Sequence, residues 1–142
     1  MLNIIKLCVG ADSIADLEEW IAFRLEEKRR AGAPVEHFHT TRMMPKRRDD
    51  LLDGGSLYWV IKGQIQCRQR LTEVRPVVDK EGIPRCQLVL DPQVVPVMPR
   101  PRGAFQGWRY LETKDAPPDL GTGGAADMPP ELRQELAALG LL

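Results

Sequence analysis

Between Leu57 and Leu90 apolar residues recur at a period near two, and the run is broken at only two places, Gly63 and Asp79-Lys80-Glu81-Gly82. Neighbouring residues of a strand point to opposite faces, so such a run predicts half-buried strands and excludes a helix. Leu57-Tyr58-Trp59-Val60-Ile61 is aromatic and β-branched, the composition that fits a pleated surface. Gly63 then marks a tight turn or bulge into a second strand, with Ile65, Cys67 and Leu71 on one face and Gln66, Arg68, Arg70 and Thr72 on the other. After the turn at 79–82, Cys86, Leu88 and Leu90 alternate with Arg85, Gln87 and Val89. Three consecutive antiparallel strands follow from this pattern. With one face against a core, Arg68, Arg70 and Arg85 share the other with Gln66 and Gln87.

The flanking segments supply a helix and further strands. Leu2 to Val9 is a short branched apolar run stopped by Gly10, which reads as a buried strand. Ser13 with Asp16 matches a capping box, and Ile14, Leu17, Ile21 and Leu25 recur at helical spacing, so an amphipathic helix is predicted to about Arg30, ended by Gly32 and Pro34. His37 to Met43 reads as a strand, and Pro45 opens a short helix through Leu52 that Asp53-Gly54-Gly55 ends. Pro92, Pro96, Pro99 and Pro101 restrict the chain to edge or polyproline conformations, and Phe105 to Leu111 reads as a closing strand.

The fold class expected is α+β: an N-terminal strand and amphipathic helix packed on a curved, mostly antiparallel sheet, closing into a small mixed barrel. One domain over 1–112 suits a chain of 142 residues with 43% apolar and 28% charged residues. Residues 113–130 have linker composition, four prolines among glycines and acidic residues. Residues 131–142 are expected to form a short C-terminal helix on a flexible tail, with Leu132, Leu136 and Leu139 as an apolar stripe that docks on this domain, on a second copy or on another protein. The three cysteines have no C-x-x-C spacing, no apolar run is long enough for a membrane span, and no signal-peptide pattern opens the chain. A cytoplasmic protein without membrane attachment is expected.

Charge is segregated along the chain although it sums to zero. Residues 1–41 carry an acidic excess of two, residues 42–109 hold thirteen basic residues against seven acidic, and residues 110–142 carry an acidic excess of four. A local basic face therefore remains available to an acidic partner despite the neutral total.

Three segments resemble those of a family of small bacterial cytosolic domains of unknown function: Glu36-His37-Phe38-His39-Thr40-Thr41-Arg42-Met43-Met44-Pro45-Lys46-Arg47, Gly54-Gly55-Ser56-Leu57-Tyr58-Trp59-Val60-Ile61-Lys62-Gly63, and Phe105-Gln106-Gly107-Trp108-Arg109-Tyr110-Leu111. The resemblance covers roughly residues 2 to 120, leaves the tail as the variable part, and implies no catalytic residue. At the level of fold alone, a helix, a curved meander and a Trp-containing closing strand are similar to the small mixed barrels of the PUA and ASCH kind, many of which bind RNA.

Two constellations carry chemistry. Arg42, Lys46, Arg47, Arg68, Arg70, Arg100, Arg102 and Arg109 suit phosphate recognition, with Tyr58, Trp59, Trp108 and Tyr110 as surfaces on which unpaired bases stack. They point to a module that binds RNA or another single-stranded nucleic acid. The alternative is a small enzyme or metal-dependent protein centred on His37, His39 and Arg42, with Thr40 and Thr41 as hydroxyls and Cys8, Cys67 or Cys86 as further ligands. No nucleophile elbow, phosphate-cradling glycine loop or cofactor motif accompanies it, so enzyme chemistry is the weaker reading and no cofactor is expected. A third class is a protein–protein adaptor acting through the C-terminal helix.

Overall fold

The computed structural model describes residues 1–120. Its strands are β1 (Leu2–Leu7), β2 (His37–Thr41), β3 (Ser56–Ile61), β4 (Gln64–Val78), β5 (Pro84–Leu90), β6 (Val95–Pro101) and β7 (Trp108–Glu112), with helices α1 (Ile14–Arg30) and α2 (Arg48–Leu52) and a 3₁₀ turn at Thr113–Asp115. They form one mixed sheet in the order β2-β5-β4-β3-β1-β7, with β6 also on β4. β1 and β3 are parallel, as a crossover through α1, β2 and α2 requires, and every other pair is antiparallel.

The sheet is open, which corrects the expected barrel. Closure needs the two outer strands to pair, and here β2 and β7 end the sheet on opposite sides. The meander β3-β4-β5 is present as read. β4 is longer than its alternation suggested: β6 takes its first half and β5 its second. The prolines of β6 fit an outer position, where a missing N–H breaks no ladder.

α1 begins where the sequence placed it. Ser13 Oγ accepts from the Asp16 N–H at 3.1 Å, and Asp16 Oδ2 accepts from the Asp12 N–H at 3.0 Å. Leu17 and Ile21 face a core shared with Ile4, Leu57, Trp59, Leu71, Leu88 and Leu90 of the sheet, and Leu51 of α2 joins it. α2 starts at Arg48, with Pro45 buried ahead of it instead of opening it.

A second apolar layer lies on the opposite face: Ile5, Tyr58, Val60, Ile65, Val97 and Leu111. With both faces covered, β3 is buried along its whole length, which explains its unbroken apolar run. Ile65 and Cys67 belong to opposite layers, not to one face as the alternation implied. Trp59 pairs with Cys67 and Val60 with Ile65, so Gln66 is an extra residue that reverses the side-chain sense. Its Nε2 donates to the Ile61 carbonyl at 2.8 Å. Lys62 and Gly63, at φ 50° and 75°, make the two-residue turn between β3 and β4.

The segment from 113, read as the start of a linker, is packed as far as Leu120. Asp119 bridges to Val97, the Met98 N–H donates to the Pro118 carbonyl at 2.9 Å, and Pro117 and Leu120 are buried. The rest of the expected linker and the helix at 131–142 lie outside the described residues. No helix among the described residues is long and apolar enough to cross a membrane.

Candidate nucleic-acid interface

Strand pairing sets which side chains share a face. Arg68 stands beside Tyr58, Tyr58 beside Ile5, and Ile5 beside Arg109, while Arg70 stands beside Ser56 and Arg100 beside Ile65. Since Ile5, Tyr58 and Ile65 belong to the second apolar layer, these four arginines lie on the face away from α1. Arg102 follows two residues after Arg100, its N–H donating to the Gly63 carbonyl at 2.8 Å. Five of the sequence-predicted arginines are thus brought to one side of the molecule.

Their partners differ. Arg68 Nη2 and Nε meet Asp119 at 2.7 and 2.8 Å, and its Nη1 donates to Ser56 Oγ at 3.0 Å. The guanidinium holds the Asp119 carboxyl below the usual carboxylate range, mainly through these hydrogen bonds. Arg100 Nη1 donates to the Asp115 carbonyl at 2.6 Å, and Arg109 Nη1 to the carbonyls of Gln106 and Trp108. Arg102 and Arg109 both pack on the Phe105 ring, 5.1 and 5.7 Å from its centroid. Arg70 is exposed and has no side-chain partner among the described residues. Of the five, Arg68 alone has a carboxylate partner among the described residues.

At one end of this face a cavity of about 600 Å³ opens between the sheet and the 113–120 segment, lined by Asn3, Ser56, Tyr58, Arg68 and Arg70. Asp119 and Ser56 fix one guanidinium, and Arg70 supplies a second. This donor set is suited to an anion. Tyr58 is 7% exposed and belongs to the second apolar layer, so its ring is core although the residue lines the cavity. Trp59 and Trp108 are buried as well, their indole N–H groups donating to Gln69 Oε1 and the Met43 carbonyl. The base-stacking surface expected from Tyr58, Trp59 and Trp108 is therefore absent from this face. Tyr110 is partly exposed but pairs with Ile4, on the α1 side, and its hydroxyl accepts from the Arg47 N–H at 3.1 Å.

Arg42, Lys46 and Arg47 are not with the other arginines. Their segment is pinned to the α1 side by the Trp108–Met43 and Arg47–Tyr110 hydrogen bonds, and Arg47 Nε is paired with Asp50 at 3.0 Å. Arg85, read onto the arginine face, is neutralised by Asp79 at 3.1 Å.

His37 and His39 face the α1 side of β2, as their alternation required, but each is a packed ring. His37 meets Trp20 edge-on at 6.3 Å and His39 meets Trp59 at 5.5 Å. Burial pushes both down to about 4, aided at His37 by Arg24 and Lys28 and at His39 by Lys6 and Arg24. Burial also pushes the Cys8 thiol up to about 11 and the Cys67 thiol further up. Among the described residues no group of three or more His, Cys, Asp or Glu side chains is placed to hold a metal ion. The Thr41 hydroxyl donates to the Met43 carbonyl at 3.2 Å, and Thr40, one residue out of step with His37 and His39, points to the opposite face of β2.

Asn3, Ser56 and Asp119 were not singled out from sequence as parts of the interface. Asp119 read as one charge of an acidic tail, and only the pairing of distant segments places it beside Arg68 and Ser56 beside Arg70.

The model of a family described as a protein of unknown function, DUF1489, matches residues 4–142. The match runs through the tail that looked variable. No curated protein and no solved structure matches the chain.

Proposed function

We propose, for a chain that belongs to the DUF1489 family of proteins of unknown function, that the arginine face binds single-stranded RNA through its phosphates. The observation that carries this reading is the gathering of Arg68, Arg70, Arg100, Arg102 and Arg109 on one face with a single carboxylate partner among the described residues. Guanidinium groups match phosphate oxygens in bidentate geometry, and Arg70 offers one at the cavity beside Arg68, whose own donors Asp119 and Ser56 hold. Trp59 and Trp108 are buried and give this face no stacking platform, so binding depends on backbone charge and little on sequence.

Titration of the protein with short fluorescent RNAs of differing sequence tests this. With four phosphate contacts on a single strand, affinity falls about 50-fold between about 50 and about 200 mM salt. Arg100→Ala and Arg109→Ala each weaken binding uniformly across sequences and flatten the salt dependence, whereas Arg42→Ala, off this face, leaves both unchanged. Absent binding at low salt, or binding indifferent to salt, overturns the proposal.

A further inference from the structure

The first turns of α1 present apolar surface where a helix normally presents polar side chains. Val9 is 90% exposed, Trp20 46% and Phe23 61%, and with Cys8, Ala11 and Leu17 they line a groove of about 460 Å³. Three large apolar side chains around one concavity are the mark of an interaction surface and not the scattered exposure usual in a soluble chain. The Arg24 guanidinium sits 4.7 Å over the Trp20 ring and His37 meets the edge of the same ring, so the indole is held from two sides. Asp16 and Glu19 stand on the rim. What fits is therefore an apolar side chain flanked by positive charge.

The chain carries such a segment on its own surface, Arg42-Met43-Met44-Pro45-Lys46. Met43 is 57% exposed while its carbonyl is fixed by the Trp108 indole and the Thr41 hydroxyl, so a flexible apolar side chain projects from an anchored backbone. Arg42 and Lys46 are exposed and have no carboxylate partner among the described residues, unlike Arg47. Neither belongs to the arginine face, and the chain's zero net charge puts no long-range repulsion between two copies.

We propose that the groove on α1 receives the 42–46 segment of a second copy of this chain, with Met43 between Trp20 and Phe23 and with Arg42 and Lys46 against Asp16 and Glu19. The contact joins copies groove to loop and leaves the arginine face of each open.

Sedimentation velocity on the full chain, from micromolar to several hundred micromolar, tests it. The expected result is a sedimentation coefficient that rises with concentration. Phe23→Glu and Met43→Glu, at exposed positions, each abolish the rise while leaving circular dichroism and thermal midpoint unchanged. Glu19→Lys and Arg42→Glu each weaken association about tenfold, and the double variant Glu19→Lys with Arg42→Glu recovers it. A monomer at every concentration overturns the proposal, as does association that none of these substitutions alters. Association that appears only after truncation behind Leu120 assigns the groove to the chain's own C-terminal residues and overturns it equally.

Discussion

A methyl group on Gly55 would lie 2.2 Å from the Leu2 carbonyl oxygen and 2.4 Å from that of Leu51. Both are backbone atoms, one in β1 and one in α2, and neither moves without carrying its element along. The Gly55 N–H donates to Leu51 at 2.9 Å and its carbonyl accepts from Leu71 at 3.0 Å, so the residue ties α2, β1 and β4 at one point. Gly55→Ala is expected to destabilise the protein by about 3 kcal/mol or more, read as a fall in urea midpoint without a change in slope. Lys62 is the opposite case, because its side chain tolerates the turn at some cost. At φ 50° it occupies the first left-handed position of a two-residue hairpin turn, where Asn is better suited. Lys62→Asn is expected to stabilise by about 0.5 kcal/mol, and a lowered thermal midpoint contradicts this assignment of the turn.

At the scale of elements, the packing of β2 side chains against α1 and against Trp59 of β3 makes stability depend on pH. His37 and His39 are held near 4 in the fold against an ordinary 6.5, by burial and by the cations Arg24, Lys28 and Lys6. Above pH 6.5 both are neutral folded or unfolded, and stability is full. As pH falls from 6.5 toward 4 the unfolded chain takes up protons that the folded chain refuses, so stability declines, by up to about 2 kcal/mol per imidazole at pH 5. Urea unfolding at pH 7 and pH 5 measures the decline, and His37→Gln roughly halves it; equal stability at the two pH values contradicts buried neutral rings. Elements of this kind were readable from sequence because their signals are local: the Ser13 cap and the spacing from Ile14 to Leu25 gave α1, and the two-residue period gave β3, β4 and β5. What escaped depends on distant partners. The bulge at Gln66 is visible only against Trp59 and Val60, and it places Ile65 in the layer opposite Cys67. The open sheet follows from which edges meet, and alternation within a strand carries no record of its neighbours. The arginine face was legible in part, since Arg68 and Arg70 share a strand, but Arg109 joins them only through β1 and β3.

For the molecule as a whole, zero net charge conceals an arginine face on which acidic residues of the same chain already rest. Asp119 neutralises Arg68, and Asp115 lends its carbonyl to Arg100, so the 113–120 segment lies where RNA phosphates are proposed to sit. Deleting that segment is a poor test of competition, because Pro117 and Leu120 are buried and their loss exposes the apolar layer around Val97 and Leu111. Replacing one carboxylate by its amide keeps the shape and removes the charge. Asp119→Asn frees a guanidinium that Ser56 still orients, and a partly exposed ion pair of this kind contributes about 1 kcal/mol or less to stability. The variant is therefore expected to stay folded at neutral pH and to bind short RNAs several-fold more tightly. Its salt dependence steepens by about 0.7 in logarithmic slope, one added phosphate contact on a single strand. Arg68→Ala in the Asp119→Asn background removes both gains, which separates release of Arg68 from a general change in surface charge. Unchanged affinity in Asp119→Asn, with the effects of Arg100→Ala and Arg109→Ala intact, means that RNA passes beside Arg68 and not over it.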